Sequence, residues 1–465
     1  MHSLAEGDWP DVFRHAVVRR RSRRLRNSLS HERVDRAARS GEPLRSGERL
    51  AGLDALRGGA MALGIVLHAC VAYSATSLDG LLWPVRDSAP SRVCEVLFWW
   101  IHTFRLPLFF FVAGYFSELL FLAQGPVEFA RRRVIRILVP YYAAVFSILP
   151  INLLIWSAGW VLSKQATWEQ VFSPSVPFAP ELQDKFFGPA HLWFLMDLAF
   201  ITLTYGFLRF EWGTTATAAE PARLPAAPPA IRLLLLAAPP AIILWDDPSI
   251  FVGHHNSFVP HTVRMAYYGF YFLIGALAFR RRGLLEHCAR FPGWHLLTSI
   301  PCVLTVLWLV PRQTRGELGP ALQCLISLAV ALSAWTTLLG LFGLALRTRR
   351  APRGVQYFAD ASYWLYLCHL PLVGGAQVAL HSVALPAAVK MLIVAATTLT
   401  IGLISYRLCI RHTFVGRILH GARLREPVTP ELGSETSPSV TGSSTAIPRP
   451  HVAAEGSERP IVPRD

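Results

Sequence analysis

A chain of 465 residues that is 52% hydrophobic and only 16% charged is not an ordinary soluble globule, and it reads as a polytopic membrane protein. Its formal net charge of +15 comes almost wholly from arginines set in short blocks beside apolar runs, with no aromatic-interleaved basic domain, so the charge reports membrane topology and nucleic acid is not a partner. The seven cysteines are scattered without paired spacing, which indicates neither a disulfide framework nor a metal site.

Residues 1–48 form a basic arm, with Arg19–Arg21, Arg23, Arg24 and Arg26 in one block and no apolar core of a signal peptide, and are expected to stay in the cytoplasm. The run from Arg49 to Tyr73 follows. It is apolar and of membrane length, yet carries Asp54, Arg57 and His68. Ionisable groups inside a span face a protein interior or a wet cavity. Arg57 and His68 are eleven positions apart, about three helical turns, so they share a face and lie roughly 16 Å apart along the axis. Asp54, one turn before Arg57, can pair with its guanidinium and orient it.

Ten apolar spans are expected in all, near 50–75, 94–122, 137–162, 190–210, 231–245, 262–280, 294–311, 321–346, 359–380 and 385–410. Alternating them from a cytoplasmic start puts the arginine-dense connections inside and the sparsely charged ones outside, with both termini cytoplasmic. The fifth span is short and interrupted by Pro239 and Pro240, so a broken helix is expected there, after an Ala/Pro linker at 216–230. Residues 424–465 are Pro-, Ser-, Thr- and Glu-rich without apolar periodicity and read as a disordered tail. No internal repeat is evident, which weighs against the inverted-repeat transporter folds.

Four further groups of residues suit chemistry. In the second span His102 and Arg105 are close to one turn apart ahead of Pro107, where a kink would shape a pocket, although His102 also suits an interfacial rim. Arg133 and Arg136, beside the third span, share a helical face fit for phosphates, or serve topology alone. His191, Trp193 and Asp197 open the fourth span, with Trp193 a natural interfacial anchor and His191 and Asp197 facing different ways. In the ninth, Ser362, Tyr366 and His369 follow an i, i+4, i+7 face, either toward a site or as interhelical glue. The connection at 246–261 adds His254, His255, Asn256 and His261, suited to a sugar or to water.

Taken in order, LDALRG with ten residues between Arg57 and His68, FRLPLFFFVAGYF, RRRVIRILVP, HLWFL, YFLIGALAF and ASYWLYLCHLPLV resemble the membrane-bound acyltransferase 3 family over about residues 49–412. The resemblance implies a multi-pass, all-α enzyme of the bacterial inner membrane. Such enzymes take an acyl group from acyl-CoA in the cytoplasm and esterify an extracytoplasmic hydroxyl, in the glucan-modifying branch a periplasmic glucan. The implied donor is succinyl-CoA or acetyl-CoA, with no permanently bound cofactor. The family's Arg and His pair falls on Arg57 and His68, and its basic cytoplasmic motif on Arg133 and Arg136; the Gly58-Gly59 departure implies a looser start to the first helix. Thioester acyl transfer needs a base near neutrality and donors for a developing oxyanion, which assigns His68 as base and Arg57, oriented by Asp54, as oxyanion stabiliser or donor anchor. Donor binding then falls to Arg133, Arg136 and Arg105, and acceptor binding to His102, His191, Trp193, Ser362, Tyr366 and His369. Competing readings are an O-acetyltransferase of another envelope polysaccharide or lipid and, in a different class, a transporter or flippase.

Overall fold

The computed structural model describes residues 46–76, 81–172, 188–212, 228–280, 288, 290–348 and 350–420. The 424–465 tail, most of the 216–230 linker and the basic arm lie outside the described residues, except that the last residues of the arm already belong to the first helix. Ten long helices follow in order: α1 Ser46–Val71, α2 Arg92–Gln124, α3 Pro126–Leu162, α4 Trp193–Trp212, α5 Pro229–Asp246, α6 Thr262–Arg280, α7 Pro292–Gln313, α8 Pro320–Arg347, α9 Arg353–Ala379 and α10 Ala387–Ile410. Among the described residues nine are both long and apolar enough to cross a membrane. The remaining one, α9, contains the expected span at 359–380; its 27 residues extend ~40 Å at 1.5 Å per residue, and Ser362, Tyr363, Tyr366, His369 and Gln377 are what lower its hydropathy. The all-α polytopic architecture is therefore as the sequence predicts.

The helices surround α8, whose apolar window is 78% buried against 17% for the peripheral α5. α1 packs on α2, α8, α9 and α10, and α2 packs in turn on α6 and α8. Outward faces expose large apolar side chains such as Phe146, Leu154, Phe207, Leu235, Ile242 and Leu392. Hydrocarbon is as apolar as these side chains, so lipid does not drive them inward, and the helices are held instead by close backbone approach and interior polar contacts. Gly58 shows the first. A Cβ there would lie 3.2 Å from the Ala359 Cα of α9, so the glycine lets two backbones meet. The looser helix start expected from Gly58-Gly59 is not found: both lie inside a helix that begins at Ser46, with Gly58 packed on α9.

The fifth span also differs from expectation. Pro239 and Pro240 sit inside one continuous helix rather than at a break. They forgo only the backbone bonds to residues 235 and 236, a loss that membrane helices tolerate. In α3 a π-helical turn at Val134–Leu138 carries Arg136 and reshapes the helix where its arginines emerge.

Interior ion pairs supply the second kind of adhesion. Glu118 of α2 is fully buried and held by Arg209 of α4 at 3.3 Å, by Arg280 of α6 at 2.5 Å and by the Tyr205 hydroxyl. Asp197 of α4 pairs with Arg264 of α6 at 2.8 Å, and Asp87 ties the 81–91 segment to Lys390 of α10 at 2.6 Å.

Candidate active site

At one end of the bundle a cavity of about 1430 Å³, counting its open mouth, is enclosed by α1, α2, α3, α6, α9, the start of α4 and the 81–83 and 249–256 segments. Six histidines reach it: His68, His102, His191, His254, His255 and His369, together with Arg105, Arg264 and Tyr366. His369 lies between two of them, with ring centroids 5.1 Å from His68 and 5.0 Å from His191.

Backbone carbonyls orient these rings. A carbonyl oxygen only accepts, so a neutral imidazole bonded to one carries its proton on that nitrogen and presents a lone pair on the other. His369 Nδ1 is 2.7 Å from the Tyr366 carbonyl, which leaves Nε2 as the basic nitrogen; that atom is buried with no hydrogen-bond partner among the described residues. His191 Nε2 is 3.0 Å from the Leu367 carbonyl, and its Nδ1 is likewise unpartnered. His102 Nε2 is 2.9 Å from the Phe251 carbonyl. The hydroxyl of Tyr366 donates to the His191 carbonyl at 2.7 Å and pins the start of α4 to α9.

His68 is held differently. Its ring stacks on Trp83 with an interplanar angle of 2° and a centroid distance of 5.9 Å. Trp83 Nε1 donates to Gln377 Oε1 at 2.7 Å, and Gln377 Nε2 donates to the His68 and Ala69 carbonyls at 3.2 and 3.1 Å. One α9 side chain thus fixes both the backbone beneath His68 and the indole against its ring. His68 Nδ1 is buried and unpartnered. A buried polar atom left unsatisfied costs about 1–3 kcal/mol, and three such nitrogens belong to histidines that line this one cavity, as suits a place for a polar ligand.

The mouth is histidine-rich. Arg264, neutralised by Asp197, lies 4.2 Å over the Trp193 ring and donates to the His255 carbonyl at 3.3 Å. His191 and Asp197 do part ways as their spacing predicts, one facing the cavity and the other bracing Arg264 behind it. Trp193, suited by sequence to an interfacial anchor and assigned by the resemblance to acceptor binding, lines the cavity, with the Arg264 guanidinium over its ring. Burial, with Arg264 and His255 nearby, pushes His254 down to about 4, so it is neutral at physiological pH and offers a lone pair to a hydroxyl.

Arg57, Asp54, Arg133, Arg136 and Ser362 are not in the cavity. Arg57 pairs with Asp54 at 3.1 Å, and both side chains are about half exposed rather than enclosed, since α1 is flanked but not covered at this end. Arg57 lies over Phe116, and Arg133 donates to the adjacent Ser117 at 2.9 Å while lying over Phe129. Arg136 donates to the Leu419 carbonyl at 3.1 Å, and its own carbonyl accepts from Tyr363 at 2.7 Å. Ser362 Oγ donates to the Ala359 carbonyl at 2.7 Å, so of the polar face expected on α9 only Tyr366 and His369 reach the site. Two places therefore emerge: a histidine cavity, and a cluster of three arginines about three turns of α1 away.

Reasoning from the sequence overlooked Arg264, Glu118, Gln377 and Trp83. The first two are ionisable residues within apolar spans and, like His68, must face something other than lipid. Nothing local marks Trp83 or Gln377, whose role exists only through contact with α1.

The acyltransferase domain profile matches residues 50–407 of this chain. Curated relatives include the glucans biosynthesis protein C of Salmonella typhi and that of Salmonella schwarzengrund, each 30% identical over 334 residues, covering 69% of this chain and 81% of the relative. At 30% identity over 336 residues, with the same coverage of both chains, the protein of that name from Salmonella dublin is similar too. No solved structure matches. A family match running from the first helix to the last places the chain in the acyltransferase 3 family, as a multi-pass membrane O-acyltransferase.

Proposed function

We propose that the enzyme moves a succinyl or acetyl group from acyl-CoA, bound on the cytoplasmic face of the inner membrane, to a hydroxyl of an extracytoplasmic carbohydrate of the glucan class. The observation that carries this reading is the pair of separated sites. The half-exposed Arg57, with Arg133 and Arg136 beside it, suits the phosphates of the donor. Along α1, ~16 Å away, His68 lines a cavity whose mouth is furnished with hydrogen-bonding groups for a sugar. A long thin donor arm fits that separation. The acceptor oxygen bonds to the thioester carbonyl carbon while its proton passes to the His68 imidazole. The carbon–sulfur bond then breaks with its electron pair on sulfur, and the departing thiolate takes up the proton. The relatives' name supports the glucan as acceptor.

Replacing Arg133 and Arg136 together by alanine should raise the KM for acyl-CoA about tenfold or more while kcat changes less than about threefold, since hydrogen bonds to charged groups contribute about 1.5–3 kcal/mol and act here away from the thioester. Steady-state kinetics on purified protein read this directly, and an unchanged KM would leave those arginines a topological role alone.

Sidedness is tested independently. In a background without native cysteines, single cysteines at the exposed Ser88 and Ser257 should react with a membrane-impermeant thiol reagent on intact cells. One at Ala351 should react only after the membrane is opened. The opposite pattern would put the cavity mouth in the cytoplasm and end the assignment of an extracytoplasmic acceptor.

A further inference from the structure

Most arginines inside the bundle are paired. Arg264 has Asp197, and Arg209 and Arg280 share Glu118. Arg105 and Arg133 are different: among the described residues neither forms a salt bridge, and the Nε of each is buried without a hydrogen-bond partner. Arg133 donates to Ser117 and lies outside the cavity, which leaves Arg105. An uncompensated cation within an apolar span is costly and is retained where an anion binds or develops. Its position says which. Arg105 lines the cavity with His68 and His369, and its guanidinium lies so close over α1 that a Cβ added to Gly64 would be 2.2 Å from Nη1. Gly64 is one turn before His68 on the same face of that helix. Only a glycine leaves room for the guanidinium there.

We propose that Arg105 is a catalytic residue, the cation that takes up the negative charge developing on the thioester carbonyl oxygen as the acceptor hydroxyl attacks. The proposal rests on the acyl-transfer reading above. In that step the new carbon–oxygen bond forms as the carbonyl π pair moves onto oxygen beside Arg105, and the pair returns as the carbon–sulfur bond breaks. Arg57, ~16 Å from His68 along α1, is too far to touch the same carbonyl, which leaves it with the donor's phosphates. A cation already beside the carbonyl before the reaction needs little reorganisation when the charge appears, which is how such groups stabilise an oxyanion.

The test is kinetic. Arg105→Gln should lower kcat by about 10²–10³, the usual loss of an oxyanion donor, with KM for acyl-CoA within about threefold and with equal loss for acetyl-CoA and succinyl-CoA. Gly64→Ala keeps the charge but forces the guanidinium aside, and should lower kcat at least about tenfold. Added to Arg105→Gln it should change kcat less than about twofold, because the group it displaces is already gone. Thermal unfolding of each detergent-purified variant establishes that it is folded; should the glutamine variant not fold, Arg105→Lys replaces it in the same comparisons, with a smaller loss expected. Arg105→Gln kinetics near those of the parent would overturn the proposal. So would a loss confined to succinyl-CoA, which would make Arg105 a carboxylate anchor, or a Gly64→Ala effect of equal size in both backgrounds, which would be helix packing alone. A folded parent that transfers neither acyl group would instead defeat the reading of function, and this proposal with it.

Discussion

Replacing His68 by alanine is expected to leave a folded, membrane-inserted protein whose acyl transfer is slower by about 10²–10⁴, the range contributed by a positioned general base. Truncation at a cavity wall removes little packing, and the Trp83 indole keeps its bond to Gln377 when the imidazole is gone. Thiol release from acyl-CoA in the presence of acceptor, measured alongside the unfolding midpoint, separates the two properties. KM for the donor should move little, since its phosphates bind three turns away. A rate within about threefold of the parent would remove His68 from the reaction and leave the lone pair of His369 Nε2, fixed by the Tyr366 carbonyl, as the base.

Asp197→Ala should be among the most destabilising single changes in the bundle. Removing one partner of a buried ion pair costs about 3–5 kcal/mol because the other charge is left uncompensated, and Arg264 is only 6% exposed. The same arginine holds Trp193 by its ring and the 249–256 segment by the His255 carbonyl, so the cavity mouth should loosen as well. A paired replacement, Asp197→Leu with Arg264→Met, removes both charges and should unfold at a markedly higher temperature than Asp197→Ala. Equal midpoints for the single and paired variants would show that packing rather than charge is the larger contribution at this crossing.

Sequence alone determined the scaffold and the identity of the chemistry. Apolar runs of membrane length must form helices, because every backbone amide needs an internal partner in hydrocarbon. A histidine or arginine in such a run must face something other than lipid, which picked out His68 and Arg105 before any contact was known, while His191, at the opening of its span, suited a helix end equally well. The same rule would have found Arg264 and Glu118. Even the separation of Arg57 from His68 follows from helical rise. What a helix does not encode is its rotation and depth against helices distant in the chain. Only the tertiary packing decided that Asp54 and Arg57 are half exposed, that Ser362 turns away while Tyr366 and His369 enter the cavity, and that Trp83 closes on His68. It alone distinguished Arg264, neutralised by Asp197, from Arg105, which has no counter-charge among the described residues. Periodicity relates residues three or four apart on one face, whereas these relations cross between helices separated by up to about three hundred positions, and interior packing sets them.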